Sequence, residues 1–263
     1  MAKTREIKGR MKAVANIKRI TKTMQMIATA RFQAALKRAS ASKPYSQKIC
    51  ELVREVVSAV GDGQVSHRLL RHDKRVEGRE LLLVLTSNRG LCGGYNANIL
   101  PTATAHPREN TDHPIDIEVV GKKGVGYFRF TGTPIKSHLS QFGDQPSFEQ
   151  VNTLAERYMD AFAPADGSEP QYDTVSVAYM TFETIARQSP TVLRLLPLDK
   201  PSSGEDEAAA GKGTGEVQYD FSPDPDALLG HLLPQTVKTE LFQCFNEAVV
   251  GEQIARMVAM KAA

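Results

Sequence analysis

Apolar positions near the N-terminus recur at steps of three and four: Ile17, Ile20, Met24 and Ile27, followed by the small Ala34 and Ala35. This is heptad spacing, the seam of a coiled coil. It predicts one long helix from a cap at Thr4 to about Val60. A kink or break is expected just before Pro44, and a stop at Gly61-Asp62-Gly63. Past the proline, Ile49, Leu52, Val53, Val56, Val57 and Val60 resume a helical face. A helix uninterrupted to Lys43 alone would measure roughly 65 Å, long for an element of a compact domain.

The middle of the chain changes period. Leu81-Leu82-Leu83-Val84-Leu85 is a continuous apolar run before a glycine-rich turn, the pattern of a parallel strand buried on both faces. Further strands are predicted at 115–120, 174–180 and 191–196, the last nearer an edge, with helical segments between them, notably Asn152 to Phe162. Strands alternating with helices predict an α/β domain with a mainly parallel sheet. Residues 202–215 are small, polar and acidic and read as a surface loop. Asp224-Pro225-Asp226 looks like a helix start, and from Pro234 onward the pattern is helical. Val237, Leu241, Phe245, Ala248, Glu252, Ala255, Ala259 and Ala262 form its stripe, with Gly251 beside it. Such a helix could pack on the sheet or run antiparallel to the N-terminal helix. Long helices at both ends of an α/β insert favour the second. The division expected is 1–60 N-terminal shaft helix, 61–222 central domain, and 223–263 C-terminal shaft helix.

Charge sharpens the picture. Residues 1–43 hold twelve Lys or Arg against one acid, Glu6, a net of +11 in a chain whose total is +3. The remainder therefore carries −8. A basic arm on an acidic body is built to meet an anionic partner: nucleic acid, an anionic membrane or an acidic protein surface. A nucleic-acid arm would use Lys8, Lys12, Lys18, Arg19 and Lys22 on phosphates, but it has no need of the apolar seam on the same helix. Aromatic residues are few, at 6%. No apolar run approaches the roughly 20 residues that span a bilayer. The N-terminal stretch is polar and basic, unlike a signal peptide.

Candidate chemistry is sparse. Ser87-Asn88-Arg89-Gly90-Leu91-Cys92-Gly93-Gly94 sits between a strand and a helix, where a phosphate-binding turn would lie. It is neither a dinucleotide fingerprint nor a Walker loop. A tight turn needing positive φ explains Gly90, Gly93 and Gly94 better than a nucleotide site does. Cys92 at a helix start could be a nucleophile, but no histidine lies near it in sequence. Cys50, Cys92 and Cys244 are too scattered for a disulfide framework or metal cluster. The six histidines form no pattern and read as surface residues. Glu205, Asp206 and Glu207 are a solvated run, and Gly211-Lys212-Gly213-Thr214-Gly215 is linker. No metal and no cofactor is expected.

Three stretches together resemble the γ subunits of F-type ATP synthases: residues 17–28 (IKRITKTMQMIA), 86–96 (TSNRGLCGGYN) and 255–263 (ARMVAMKAA). Their order matches as well, and the resemblance covers essentially the whole chain. It implies a non-catalytic rotor: a long antiparallel coiled coil of the terminal helices flanking a Rossmann-like α/β domain. It also implies that the coiled coil enters a hexamer of α and β subunits, while the base sits on the membrane ring of c subunits beside ε. Catalysis would lie on β, and no nucleic-acid partner is expected. Lys18, Arg19, Ile20, Lys22, Met24, Arg256, Met257 and Met260 would lie at the hexamer, and Arg89, Gly90, Gly93 and Gly94 in the central-domain turn. The implied place is the cytoplasmic face of a bacterial inner membrane, held there through the complex. Family members continue for further helical turns beyond the third stretch. The turns near Ile7 and Met11 are therefore expected to be frayed or exposed.

Overall fold

The computed structural model describes residues 2–60, 67–70, 78–109, 114–143, 145–165, 167–198 and 224–263. The expected loop 202–215 lies outside the described residues, as do the Gly61-Asp62-Gly63 stop, His72 and His113.

The N-terminal helix α1 spans Ala2–Val60. At 1.5 Å per residue it is roughly 90 Å long. Thr4 lies inside its first turn and not at its cap, because the helix already begins at Ala2. Pro44 does not break it. A proline removes one backbone donor, here the partner of the Ser40 carbonyl, and the helix is held on both sides of that gap by packing. Ala35 and Ala39 are buried before it, Ile49 and Val53 after it.

The central domain runs β1 (Glu80–Leu85), α2 (Tyr95–Glu109), β2 (Ile115–Val120), α3 (Lys122–Thr131), β3 (Ser137–Leu139), α4 (Phe148–Phe162), β4 (Thr174–Phe182) and β5 (Gln188–Leu196). The sheet order is β3-β2-β1-β4-β5. All pairings are parallel except β4 with β5, which is antiparallel and places β5 at an edge. The C-terminal helix α5 spans Pro225–Ala262, with Pro225 in its first turn and Pro234 inside it.

The apolar run of β1 divides cleanly between two cores, because successive side chains of a strand point to opposite faces. Leu81, Leu83 and Leu85 join the face covered by α4 and by the lower parts of α1 and α5. Leu82 and Val84 join the face covered by α2 and α3. Helix α4 starts on a capping box in which Ser147 and Gln150 satisfy each other's backbone N–H groups.

Both readings of α5 hold at once. Its Val237, Leu241 and Phe245 are buried in the core against the sheet. Farther along, Val250 and Ile254 pack against Phe32, Ala35 and Ala39 of α1. The pairing is antiparallel: Ser42 bonds Gln243, and Gln235 bonds Tyr45. Small residues on both helices let the backbones approach closely.

Buried carboxylates tie the sheet to its helices. Glu118 on β2 is paired with Arg157 and accepts the Tyr158 hydroxyl at 2.8 Å, both from α4. Glu80 on β1 lies 2.9 Å from His106 Nε2 and accepts the Ser176 hydroxyl at 2.5 Å. His106 is therefore half-buried in a structural contact and not a surface residue. His67 is also half-buried, with Nδ1 accepting the Leu69 N–H at 3.2 Å. On the same strand as Glu118, burial works against the Asp116 charge. The Tyr172 hydroxyl, Arg79 and Lys136 outweigh burial and hold that carboxyl below its ordinary range.

Candidate functional site: the shaft and the turn that anchors it

Burial on α1 begins at Ala28. Residues 2 to about 24 extend past the end of α5 at Ala262, an overhang of about 30 Å. The predicted seam faces solvent on this overhang and just beyond it: Ile17 and Ile20 are each 54% exposed, Met24 38% and Ile27 50%. Ile7 and Met11 are helical and exposed, at 54% and 67%. Lys18, Arg19 and Lys22 are exposed beside the seam. The overhang thus presents an apolar stripe bordered by cations, and no described residue of this chain covers it.

At the base of the overhang the turn 86–94 meets α5. Two residues there have positive φ, Leu91 at 61° and Gly93 at 52°. A Cβ on Gly93 would stand 3.2 Å from the Ala255 carbonyl and 3.6 Å from Ala259 Cβ, so glycine serves both the backbone conformation and the contact with the helix. Gly90 and Gly94 do not share the positive φ; Gly90 lies beside the Lys123 side chain. Arg256 donates to the Arg89 carbonyl at 3.5 Å and pairs with Glu252 at 2.6 Å. Both partners of that ion pair are largely buried, at 13% and 14% side-chain exposure. Tyr95 donates its hydroxyl to the Leu85 carbonyl at 3.1 Å.

The same turn caps the N-terminal amides of α3, a neighbouring helix distinct from α2, into which the turn itself leads. The Lys122 N–H donates to Asn88 Oδ1 at 3.3 Å, the Lys123 N–H to the Ser87 carbonyl at 3.1 Å, and the Gly124 N–H to Thr86 Oγ1 at 3.0 Å. An anion here would have to displace the protein's own caps. Cys92 is buried. It lies 3.5 Å from the Ser87 hydroxyl, and the Asn96 amide donates to its sulfur at 3.2 Å. Among the described residues no group of His, Cys, Asp or Glu is placed to hold a metal ion, and no helix is long and apolar enough to cross a membrane.

The residues expected at a partner interface therefore separate into two sets. Lys18, Arg19, Ile20, Lys22 and Met24 share the exposed overhang. Arg256 is turned inward to the anchoring turn, Met257 is half-buried, and Met260 is buried at 6% exposure. Thr86, Asn88 and Glu252 lie in stretches the sequence singled out, but their parts as caps of α3 and as the partner of Arg256 were not read there. Only the Glu252–Arg256 spacing of four gave a signal.

This arrangement defines a class: a two-helix shaft locked at one end into an α/β base, with the longer helix projecting free. A family model described as ATP synthase matches residues 3–263. The ATP synthase gamma chain of Rhodopirellula baltica is 37% identical over 266 residues, covering 100% of this chain and 87% of its own length. That of Nocardia farcinica is 35% identical, with 100% and 86% covered. Among solved structures, a chain of the central stalk and c-ring of Tetrahymena thermophila mitochondrial ATP synthase has the same fold. Its TM-score is 0.65 at 18% identity, covering 92% of this chain and 98% of that one. The chain belongs to the ATP synthase gamma chain family.

Proposed function

We propose that this chain is the central rotor stalk of an F-type ATP synthase, and that it couples transmembrane ion flow to ATP synthesis by turning inside the catalytic hexamer. The observation that carries the reading is the basic, apolar overhang of α1, in a chain whose relatives over its full length are named ATP synthase gamma chains. In this reading residues 1–60 and 223–263 form the shaft and 61–222 the base. Lys18, Arg19, Ile20, Lys22 and Met24 meet acidic loops of β subunits, with Met257 at the rim. Arg256 and Met260 act indirectly, by holding the shaft rigid. The base rests on the c-subunit ring beside ε, and the chain reaches the cytoplasmic face of the membrane through these partners. It contributes no reacting side chain; torque passes through steric contact and charge.

The rival reading, a nucleic-acid binder using the same basic arm, leaves the apolar stripe without a role. A binder of phosphates would also lose affinity steeply with salt.

Co-expression with the α and β subunits of the same organism, followed by size-exclusion and an ATPase assay, tests the proposal. A stable complex containing this chain and turning over Mg-ATP is the expected outcome. Elution of the chain alone, where α and β assemble with another γ chain, would contradict it.

A further inference from the structure

The two shaft helices do not close evenly. Where residues 43–51 of α1 face residues 236–247 of α5, a cavity of about 550 Å³ separates them. Both helices are weakened nearby. Pro44 deprives α1 of one backbone hydrogen bond, and Pro234 deprives α5 of another. Side-chain bonds across this stretch include Ser42 to Gln243 at 2.9 Å and Gln235 to Tyr45 at 3.3 Å. The Ser46 hydroxyl, in the cavity wall, is buried without a hydrogen-bond partner.

Glu240 lines this cavity. No hydrogen bond or ion pair reaches it among the described residues, and its burial pushes the carboxyl up to about 7. The charged and titratable groups around it do not favour ionisation. On α1 these are the exposed Lys43, Cys50, and Glu51, whose carboxylate is bonded to Lys48 at 2.9 Å. On α5 they are Cys244, whose thiol burial and Glu240 itself push upward, and Glu247, which accepts the Phe182 N–H at 3.1 Å and the Gln243 amide at 2.9 Å. Tyr179 of β4 stands behind Cys244. Lys238 is engaged with Glu156 of α4 at 2.7 Å. Of the cavity's lining groups one exposed cation, Lys43, thus stands among three carboxylates, one of which is already bonded to Lys48.

We propose that this cleft is a proton-operated joint in the shaft: with Glu240 neutral the helices close on each other, and with Glu240 ionised water enters and the stretch between Pro44 and Pro234 loosens. The inference concerns the packing of the two helices and stands whichever partners the shaft engages. Its direction follows from linkage. A carboxyl that holds its proton more tightly in the closed joint than in water favours closure at low pH. Closure weakens as pH rises from the ordinary carboxyl value toward 7, and levels off above it. Between 4.5 and about 7 the opening constant should grow by up to about 300-fold.

Hydrogen exchange of the full chain between pH 5 and 8, corrected for the intrinsic pH dependence of amide exchange, tests this. Amides of 40–52 and 236–247 should lose protection as pH rises and level off above about 7, while those of β1 should not. Glu240→Gln should keep the pH 5 protection throughout. Wild type and variant changing in parallel would overturn the proposal. Carboxyl ¹³C titration of Glu240 in the unaltered chain supplies a readout that needs no variant. A midpoint near 7 supports the joint, and one near 4.5 would overturn it.

Discussion

Gly121→Ala is expected to lower the stability of the base by about 4 kcal/mol, of which roughly half is backbone strain and half overpacking. Gly121 joins β2 to α3 at φ 95°, ψ 137°, a region that L side chains rarely occupy. A Cβ there would lie 2.2 Å from the Thr86 carbonyl oxygen, a backbone atom of β1's extension that cannot swing away. Thr86 is itself fixed, donating its hydroxyl to the Val120 carbonyl at 2.7 Å. Because Thr86 opens the turn 86–94 that anchors α5, the damage should reach the shaft. The control is Gly126→Ala inside the adjoining short helix α3, where nothing lies within 4 Å of the new Cβ. A helix-interior alanine in place of glycine gains up to about 1 kcal/mol. Urea unfolding followed by tyrosine fluorescence reads the base, since the chain has no tryptophan and Tyr95, Tyr158, Tyr172 and Tyr179 are buried there. Equal midpoints for the two variants would contradict this account of the turn.

Arg157→Ala should cost about 3 kcal/mol, because it removes the half-exposed partner of a buried carboxylate and leaves that carboxylate uncompensated. Glu118 is only 4% exposed in its side chain, whereas Arg157 is 49% exposed. The asymmetry decides the direction: truncating the arginine strands a charge inside, with the Tyr158 hydroxyl as its remaining neutral donor. Tyr158→Phe, which leaves the ion pair in place, should cost about 1 to 2 kcal/mol. Adding Glu118→Gln to Arg157→Ala should recover part of the loss, because the stranded charge is gone. Denaturant midpoints of the three variants check the order, and an Arg157→Ala chain as stable as the wild type would refute the assignment.

Much of the fold was legible because its signals are long or strongly patterned. The run 81–85 announced a strand buried on both faces, and its side chains do alternate between two cores. The length of α1 followed from periodicity in the same way, and the run 191–196 was expected nearer an edge, where β5 lies. The short elements were not legible. Helix α3 carries two glycines among its ten residues, and the three residues of β3 show no alternation. The prolines misled in one respect: Pro44 sits in an unbroken helix, since tertiary packing on either side outweighs one missing hydrogen bond. The seam was readable as a pattern, but a heptad states that a helix has a partner and not which chain supplies it. Ile17, Ile20, Met24 and Ile27 turned out to face solvent here. Arg256 and Met260 were readable as part of a recognisable stretch. Their inward orientation was not, because it depends on contacts with elements distant in sequence, for Arg256 the turn 86–94.

The central claim is that this chain turns as a shaft within a hexamer that it does not help catalytically. Single-molecule observation tests it most directly: immobilise the α–β hexamer, attach a probe to the base of this chain, and supply Mg-ATP. The account predicts continuous rotation in one direction, stopping when ATP is withdrawn. A hexamer that hydrolyses ATP at full rate with this chain bound while the probe stays still would contradict it.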